Sequence, residues 1–184
     1  MQEHHIYIIL TRSNTFLSRI IYHLTHEPYT HSGICLDQQL GWFYAFSRRF
    51  SYSMWPAGLT KETLYEGVFR RQKNIPCAIY RLDLTQQQFD TLKKSISLMY
   101  EHHLSYHYHL IGTIKCKFGI IHKRPHYYFC SQFVAEVLKN ANIETIDKDP
   151  SITRPTDLTK IPNATLVFTG TVEDFCKKYK QPLF

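Results

Sequence analysis

The sequence predicts an α+β domain, a small antiparallel sheet packed against a helix that begins at Cys130. Three observations predict it. Short β-branched and aromatic runs bounded by turn residues recur at 5–10, 31–36, 42–47, 76–82 and 165–168. Apolar residues with helical spacing fill 16–24, 89–99 and 133–138. The turn-rich stretch Asp37-Gln38-Gln39-Leu40-Gly41 separates two of the strands and closes them into a hairpin.

In chain order, His5-Ile-Tyr-Ile-Ile-Leu10 reads as the first strand. Ser13-Asn14 offers a cap for a helix carrying Phe16, Leu17, Ile20, Ile21 and Leu24, and Glu27-Pro28 ends it. The hairpin follows. Residues 48–61 form an aromatic-rich loop in which Tyr52, Met54 and Trp55 line or cover a cleft, or simply anchor the loop. Residues 64–70 and 76–82 have strand character. Thr85 opens a helix to about Tyr100, with Phe89, Leu92, Ile96 and Met99 on one face. Residues 104–121 are aromatic, basic and partly helical. The helix after Cys130 turns Phe133, Val134, Val137 and Leu138 inward and ends near Asn142, a left-handed cap. Residues 150–162 connect it to a last strand. No linker or repeat divides the chain, so 1–172 reads as one domain and 173–184 as a polar C-terminal tail.

Composition bounds the function. The chain has 184 residues, 43% hydrophobic and 15% aromatic, enough for a core. No apolar run approaches a membrane span. The start, Met1-Gln2-Glu3-His4-His5, lacks the pattern of a secretory signal, so a cytoplasmic location is expected. A net charge of +7 favours anionic partners. Contact with an anionic membrane or cell wall fits that charge. Nucleic acid fits it too, but no nucleic-acid motif supports this, and binding would have to be steeply salt-dependent.

The five cysteines, Cys35, Cys77, Cys116, Cys130 and Cys176, are too dispersed for a disulfide framework, a redox pair or a zinc knuckle. Cys35 and Cys77 read as small core residues. Cys130 differs, because a thiol at a helix start feels the positive end of the macrodipole, which favours thiolate. Such a nucleophile needs a base, and the base needs an orienting group. Of eleven histidines, His4, His5, His102, His103, His107 and His109 read as surface residues. No metal site and no cofactor are expected.

His31 stands apart. It begins a strand, and Gly33, on the same face, leaves room for a backbone or a substrate to approach. If the turn centres on Gln39, His31 lies opposite Ser47 and Gly33 opposite Ala45. Cross-strand neighbours have Cβ atoms about 4.5–5.5 Å apart, so Ser47 becomes the candidate orienter of the ring. Asp37, on the same strand, lies about 20 Å from His31. Tyr128 and Phe129 pack beneath the helix, and Tyr106, Tyr108 and Tyr127 lie among basic residues as a possible polymer- or membrane-facing surface.

Thr30-His-Ser-Gly-Ile-Cys-Leu-Asp37, followed much later by Tyr128-Phe-Cys-Ser-Gln-Phe-Val-Ala-Glu-Val-Leu138, resembles the circularly permuted branch of the NlpC-type papain-like superfamily. That branch includes YiiX-like bacterial proteins and, more distantly, lecithin retinol acyltransferase. Leu10-Thr11 to Ile20-Ile21 and Phe43-Tyr-Ala-Phe-Ser-Arg48 also resemble an uncharacterised bacterial subgroup. The resemblance covers most of 6–170 and implies a permuted papain-like fold. It implies Cys130 as nucleophile, His31 as general base, and a third residue on the strand after the histidine, where Ser47 and Ala45 stand. The implied chemistry is a cysteine-dependent hydrolase or acyltransferase that attacks an amide or ester through a thioester, on a peptidoglycan-type peptide, an isopeptide or a lipid. The rival reading is a binding module that keeps the cleft without the chemistry.

Overall fold

The computed structural model describes residues 4–13, 18–19, 22–23, 26–49 and 56–179. The expected helix residues Phe16, Leu17, Ile20, Ile21 and Leu24, and the loop residues Tyr52, Met54 and Trp55, lie outside them.

Six strands form one antiparallel sheet. They are β1 (His4–Thr11), β2 (His31–Cys35), β3 (Phe43–Arg48), β4 (Ala57–Glu62), β5 (Pro76–Leu84) and β8 (Thr165–Thr171), in spatial order β4-β3-β2-β1-β5-β8. The central strand, β1, alternates its side chains between two cores. Ile6, Ile8 and Leu10 face one, and Ile9 faces the other.

The first core lies under two helices. α2 (Gln86–Glu101) contributes Leu92 and Ile96, and α4 (Cys130–Asn140) contributes Phe133, Val134, Val137 and Leu138. Thr85 starts α2 with a capping box, its hydroxyl accepting from the Gln88 amide while the Gln88 side chain accepts from the Thr85 N–H. Asn142 takes a left-handed conformation, φ 53°, just past α4. The second core lies under α1 (Gly67–Arg71) and α5 (Val172–Lys178), which bury Phe69, Val172 and Phe175. A parallel pair, β6 (His107–Tyr108) with β7 (Tyr127–Tyr128), flanks a short helix, α3 (Leu110–Lys117).

The hairpin register follows the expected turn, since Ile34 pairs with Tyr44. Two expectations are corrected. Part of the loop expected over 48–61 is strand β4, whose Ala57 and Leu59 are buried while Gly58, Thr60 and Glu62 take the other face. Residues 64–70 hold helix α1 rather than a strand. Leu64, Tyr65 and Phe69 are buried at a helical interval, and Gly67, at φ 61°, makes the turn into the helix. The polar composition after 172 conceals α5, where a fully buried Phe175 stacks on Tyr179.

Gly33 has a packing explanation. A Cβ there would overlap the Phe43 ring and come within 3.0 Å of the Tyr44 carbonyl oxygen, so the space beside it is occupied by β3 and not left for a substrate. Tyr108 and His109 are buried rather than on the surface. Gly112 makes room for the His109 ring, which a Cβ at that position would overlap.

Candidate active site

Cys130 is the first residue of α4. Phe129 precedes it as a cap whose side chain accepts nothing from the helix. The amides of 130–132 have no acceptor within the helix, and the first helical bond is from Phe133 N–H to the Phe129 carbonyl, 3.0 Å. The helix is locked in place just behind the thiol, where the buried Ser131 hydroxyl donates to the Thr153 carbonyl at 2.8 Å.

His31 opens β2, near enough to the Cys130 thiol for each group to shift the ionisation of the other. His31 Nε2 meets Glu62 Oε2 at 2.8 Å. The other oxygen of that carboxylate, Glu62 Oε1, accepts from Ser47 Oγ at 2.9 Å. Ser47 Oγ also lies 2.7 Å from Thr60 Oγ1, whose hydroxyl reaches the Ala45 carbonyl at 3.1 Å. Three side chains from three strands thus form one relay, Ser47–Glu62–His31, and the Cys130 thiol, at a helix start, lies near its His31 end.

The group that contacts the imidazole is therefore Glu62, not Ser47 and not Ala45. Ser47 lies beside the site as expected, but it acts on the carboxylate. Ala45 is buried in the second core. Glu62 escaped notice because its strand was read as loop. The alternation of Ala57-Gly-Leu-Thr-Lys-Glu62, apolar at 57 and 59 and polar at 60 and 62, is the signal that could have found it. Asp37 ties down the hairpin turn, its carboxylate accepting from the Gln39 and Gly41 amides at 2.9 Å each.

Charges in the relay reinforce one another. Burial disfavours the His31 imidazolium, but the Glu62 carboxylate and the Cys130 sulfur outweigh it and push the pKa up to about 10. Burial raises Glu62, yet His31, Ser47 and Arg48 hold it below its ordinary 4.5. Burial also raises Cys130, and the neighbouring His31 ring, with a smaller contribution from Ser32, brings it below 9.0. The buried Ser32 hydroxyl has no hydrogen-bond partner. The other four thiols move the opposite way through burial, Cys35 and Cys77 to about 12, Cys116 to about 11, and Cys176 upward. Cys130 is the one cysteine whose surroundings favour thiolate.

Two cavities meet at this relay. One, of about 70 Å³, is lined by His31, Ser47, Arg48, Glu62 and Phe69. The other, of about 30 Å³, is lined by Tyr29, Cys116, Phe129, Cys130 and the Arg154–Glu27 ion pair, 3.1 Å. Thr30 and Tyr108 line both. Thr30 is held by a hydrogen bond between its hydroxyl and that of Ser18, 2.6 Å, and its carbonyl lies 4.0 Å from the Cys130 sulfur. Among the described residues no group of three or more His, Cys, Asp or Glu side chains is arranged to hold a metal ion.

Comparison with models of protein families yields no match for this chain, and comparison with curated proteins yields none.

Proposed function

We propose that the protein is a cysteine-dependent acyl-transfer enzyme, a hydrolase or acyltransferase acting on an amide or ester. The observation that carries the reading is the relay Ser47–Glu62–His31 with the Cys130 thiol near the ring, its pKa lowered by it. A nucleophile, a base beside it and a carboxylate behind the base form the constellation that acyl transfer through a thioester requires.

In this reading the Cys130 thiolate attacks the carbonyl carbon and the oxygen takes up the charge. The unpaired amides at the start of α4 are placed to receive that oxyanion. The His31 imidazolium then protonates the departing amine or alkoxide. The thioester is released by water or an acceptor nucleophile, from which His31 removes the proton, regenerating the imidazolium–thiolate pair. Glu62 holds the ring and stabilises its positive form, and Ser47 fixes Glu62. The permuted papain-like assignment remains part of this proposal. So does an anionic or surface-bound substrate, whether peptidoglycan-type peptide, isopeptide or lipid. No helix among the described residues is long and apolar enough to cross a membrane.

A binding-only module has no need of a carboxylate paired to His31, and Glu62 supplies one at 2.8 Å. The test is alkylation with iodoacetamide near neutral pH, read at each cysteine by mass spectrometry. Cys130 is expected to react at least about tenfold faster than Cys35 or Cys77, with that advantage lost in His31→Ala. The protein should also hydrolyse a p-nitrophenyl ester, and Cys130→Ala should not. Equal, slow labelling of all three thiols, unchanged in His31→Ala, would overturn the reading.

A further inference from the structure

The surface of α3 is amphipathic in the reverse sense. A helix in a folded domain ordinarily turns its apolar arc to the core. Here the inward arc carries Gly112 and Cys116, both buried, while Leu110, Ile111, Ile114 and Phe118 lie together on the opposite side. The chain then turns at Gly119, φ 68°, with the Ile120 amide donating back to the Lys115 carbonyl at 3.0 Å, and adds Ile120 and Ile121 to the same stretch. These six residues are between 38% exposed, at Leu110, and 66% exposed, at Phe118. So many large apolar side chains left to solvent within twelve consecutive positions mark an interaction surface rather than the usual scatter.

The charge around this ridge indicates its partner. Residues 102–135 contain no Asp or Glu, and they carry Lys115, Lys117, Lys123 and Arg124. Lys115 and Lys117 lie on α3 itself, and the Lys117 ammonium sits 5.4 Å from the centre of the Phe118 ring. Lys123 is engaged by Asp149 from the segment after α4, at 2.9 Å. Arg124 lies over the Tyr127 ring at 3.8 Å. An apolar ridge with a basic rim is complementary to the interface of an anionic bilayer, where the apolar side chains enter the acyl boundary and the cations meet the headgroups.

We propose that α3 and the turn after it, presenting Leu110, Ile111, Ile114, Phe118, Ile120 and Ile121 within a rim of Lys115, Lys117 and Arg124, form a docking surface for an anionic membrane. The inner side of the same helix, through Thr113 and Cys116, lines the cavity that holds Cys130. The proposal stands on exposure and charge alone, apart from the acyl-transfer reading.

Flotation of the full chain with lipid vesicles tests it. Vesicles of phosphatidylcholine with about a quarter phosphatidylglycerol should carry the protein up the gradient, and pure phosphatidylcholine should not. Ile111→Asn with Phe118→Asn should weaken binding by roughly tenfold or more, and Lys115→Glu with Lys117→Glu should do the same. Added salt should weaken binding of the wild type. Unchanged circular dichroism and Cys130 alkylation in these variants would show that the fold and the relay are intact. Failure of the wild type to bind the anionic vesicles at low salt would overturn the proposal, as would equal binding by the apolar-face variant. A dimer seen by light scattering that Ile111→Asn with Phe118→Asn dissociates would also overturn it, and would give the ridge to a second copy of the chain.

Discussion

At the scale of single residues, the ionisation of Cys130 depends on Glu62 more than on the position of the thiol. Cys130 is as buried as Cys116, and burial alone drives thiols upward, as in Cys35 and Cys77. The reversal requires a charged imidazole, and the imidazolium requires the carboxylate. Glu62→Gln keeps the shape and removes the charge. The pH midpoint for Cys130 alkylation is expected to rise by about one unit or more, each unit being about 1.4 kcal/mol. Ser47→Ala should have a smaller effect, a loss of about tenfold or less in alkylation rate at neutral pH, because it removes one hydrogen bond to the carboxylate. Equal effects of the two substitutions would place Ser47, not Glu62, in control of the ring.

The same groups set a window of stability. His31, raised from 6.5 to about 10, contributes fully below pH 6.5 and loses its contribution as pH rises through about 10. Glu62, lowered from 4.5, contributes above pH 4.5 and loses its contribution as pH falls through its depressed value. The difference in Tm between the wild type and Glu62→Gln should therefore be largest between pH 4.5 and 6.5, and should shrink as pH falls below 4.5 and as it rises from 6.5 towards about 10. Thermal melts across that range measure it. A difference independent of pH would mean that Glu62 acts through packing alone.

At the scale of elements, the site is held by strand register and by one helix end. A one-residue slip from the register that pairs Ile34 with Tyr44 would put His31 and Ser47 on opposite faces of the sheet. Gly33 permits the tight packing of those strands. Gly33→Ala places a Cβ against the Phe43 ring and the Tyr44 carbonyl, and the carbonyl, being backbone, cannot rotate away. A loss of about 1–3 kcal/mol in unfolding free energy is expected, along with slower alkylation of Cys130 as β2 shifts. Denaturant titration and the alkylation assay read the two effects. The opposite wall depends on Arg49, whose Nη2 donates to the His103 and Tyr106 carbonyls at 2.7 and 2.9 Å and ties the end of β3 to the segment before β6.

At the scale of the whole molecule, the sheet separates two cores, and the relay sits where the end of one helix meets its strands. Phe133 is fully buried one turn after Cys130 and packs on Phe46, ring centres 5.3 Å apart. Phe133→Ala should cost about 3–5 kcal/mol and free the start of α4, slowing Cys130 alkylation even under conditions where the chain stays folded. Phe175→Ala, in the second core, should cost a similar amount yet leave the alkylation rate of the folded fraction unchanged. Chemical denaturation combined with site-resolved labelling distinguishes the two.

The sequence by itself determined the strands of the hairpin, the cap and face of α2, and the helix that starts at Cys130, because each is written in local periodicity and turn chemistry. It also singled out Cys130 and His31, whose surroundings along the chain set them apart from the other thiols and imidazoles. Strand β4, helix α1 and the apolar residue within α5 were poorly legible, since each is short and its pattern is interrupted by polar or glycine residues. Only the tertiary structure decided that Glu62 stands behind His31 and that Ser47 acts one step further back. Glu62 is thirty-one positions from His31. Its partner is chosen by the pairing of β3 with β4, which long-range packing sets and local sequence does not record. The exposed ridge on α3 was likewise a tertiary decision, because an apolar arc in sequence reads as core until the fold turns it outward.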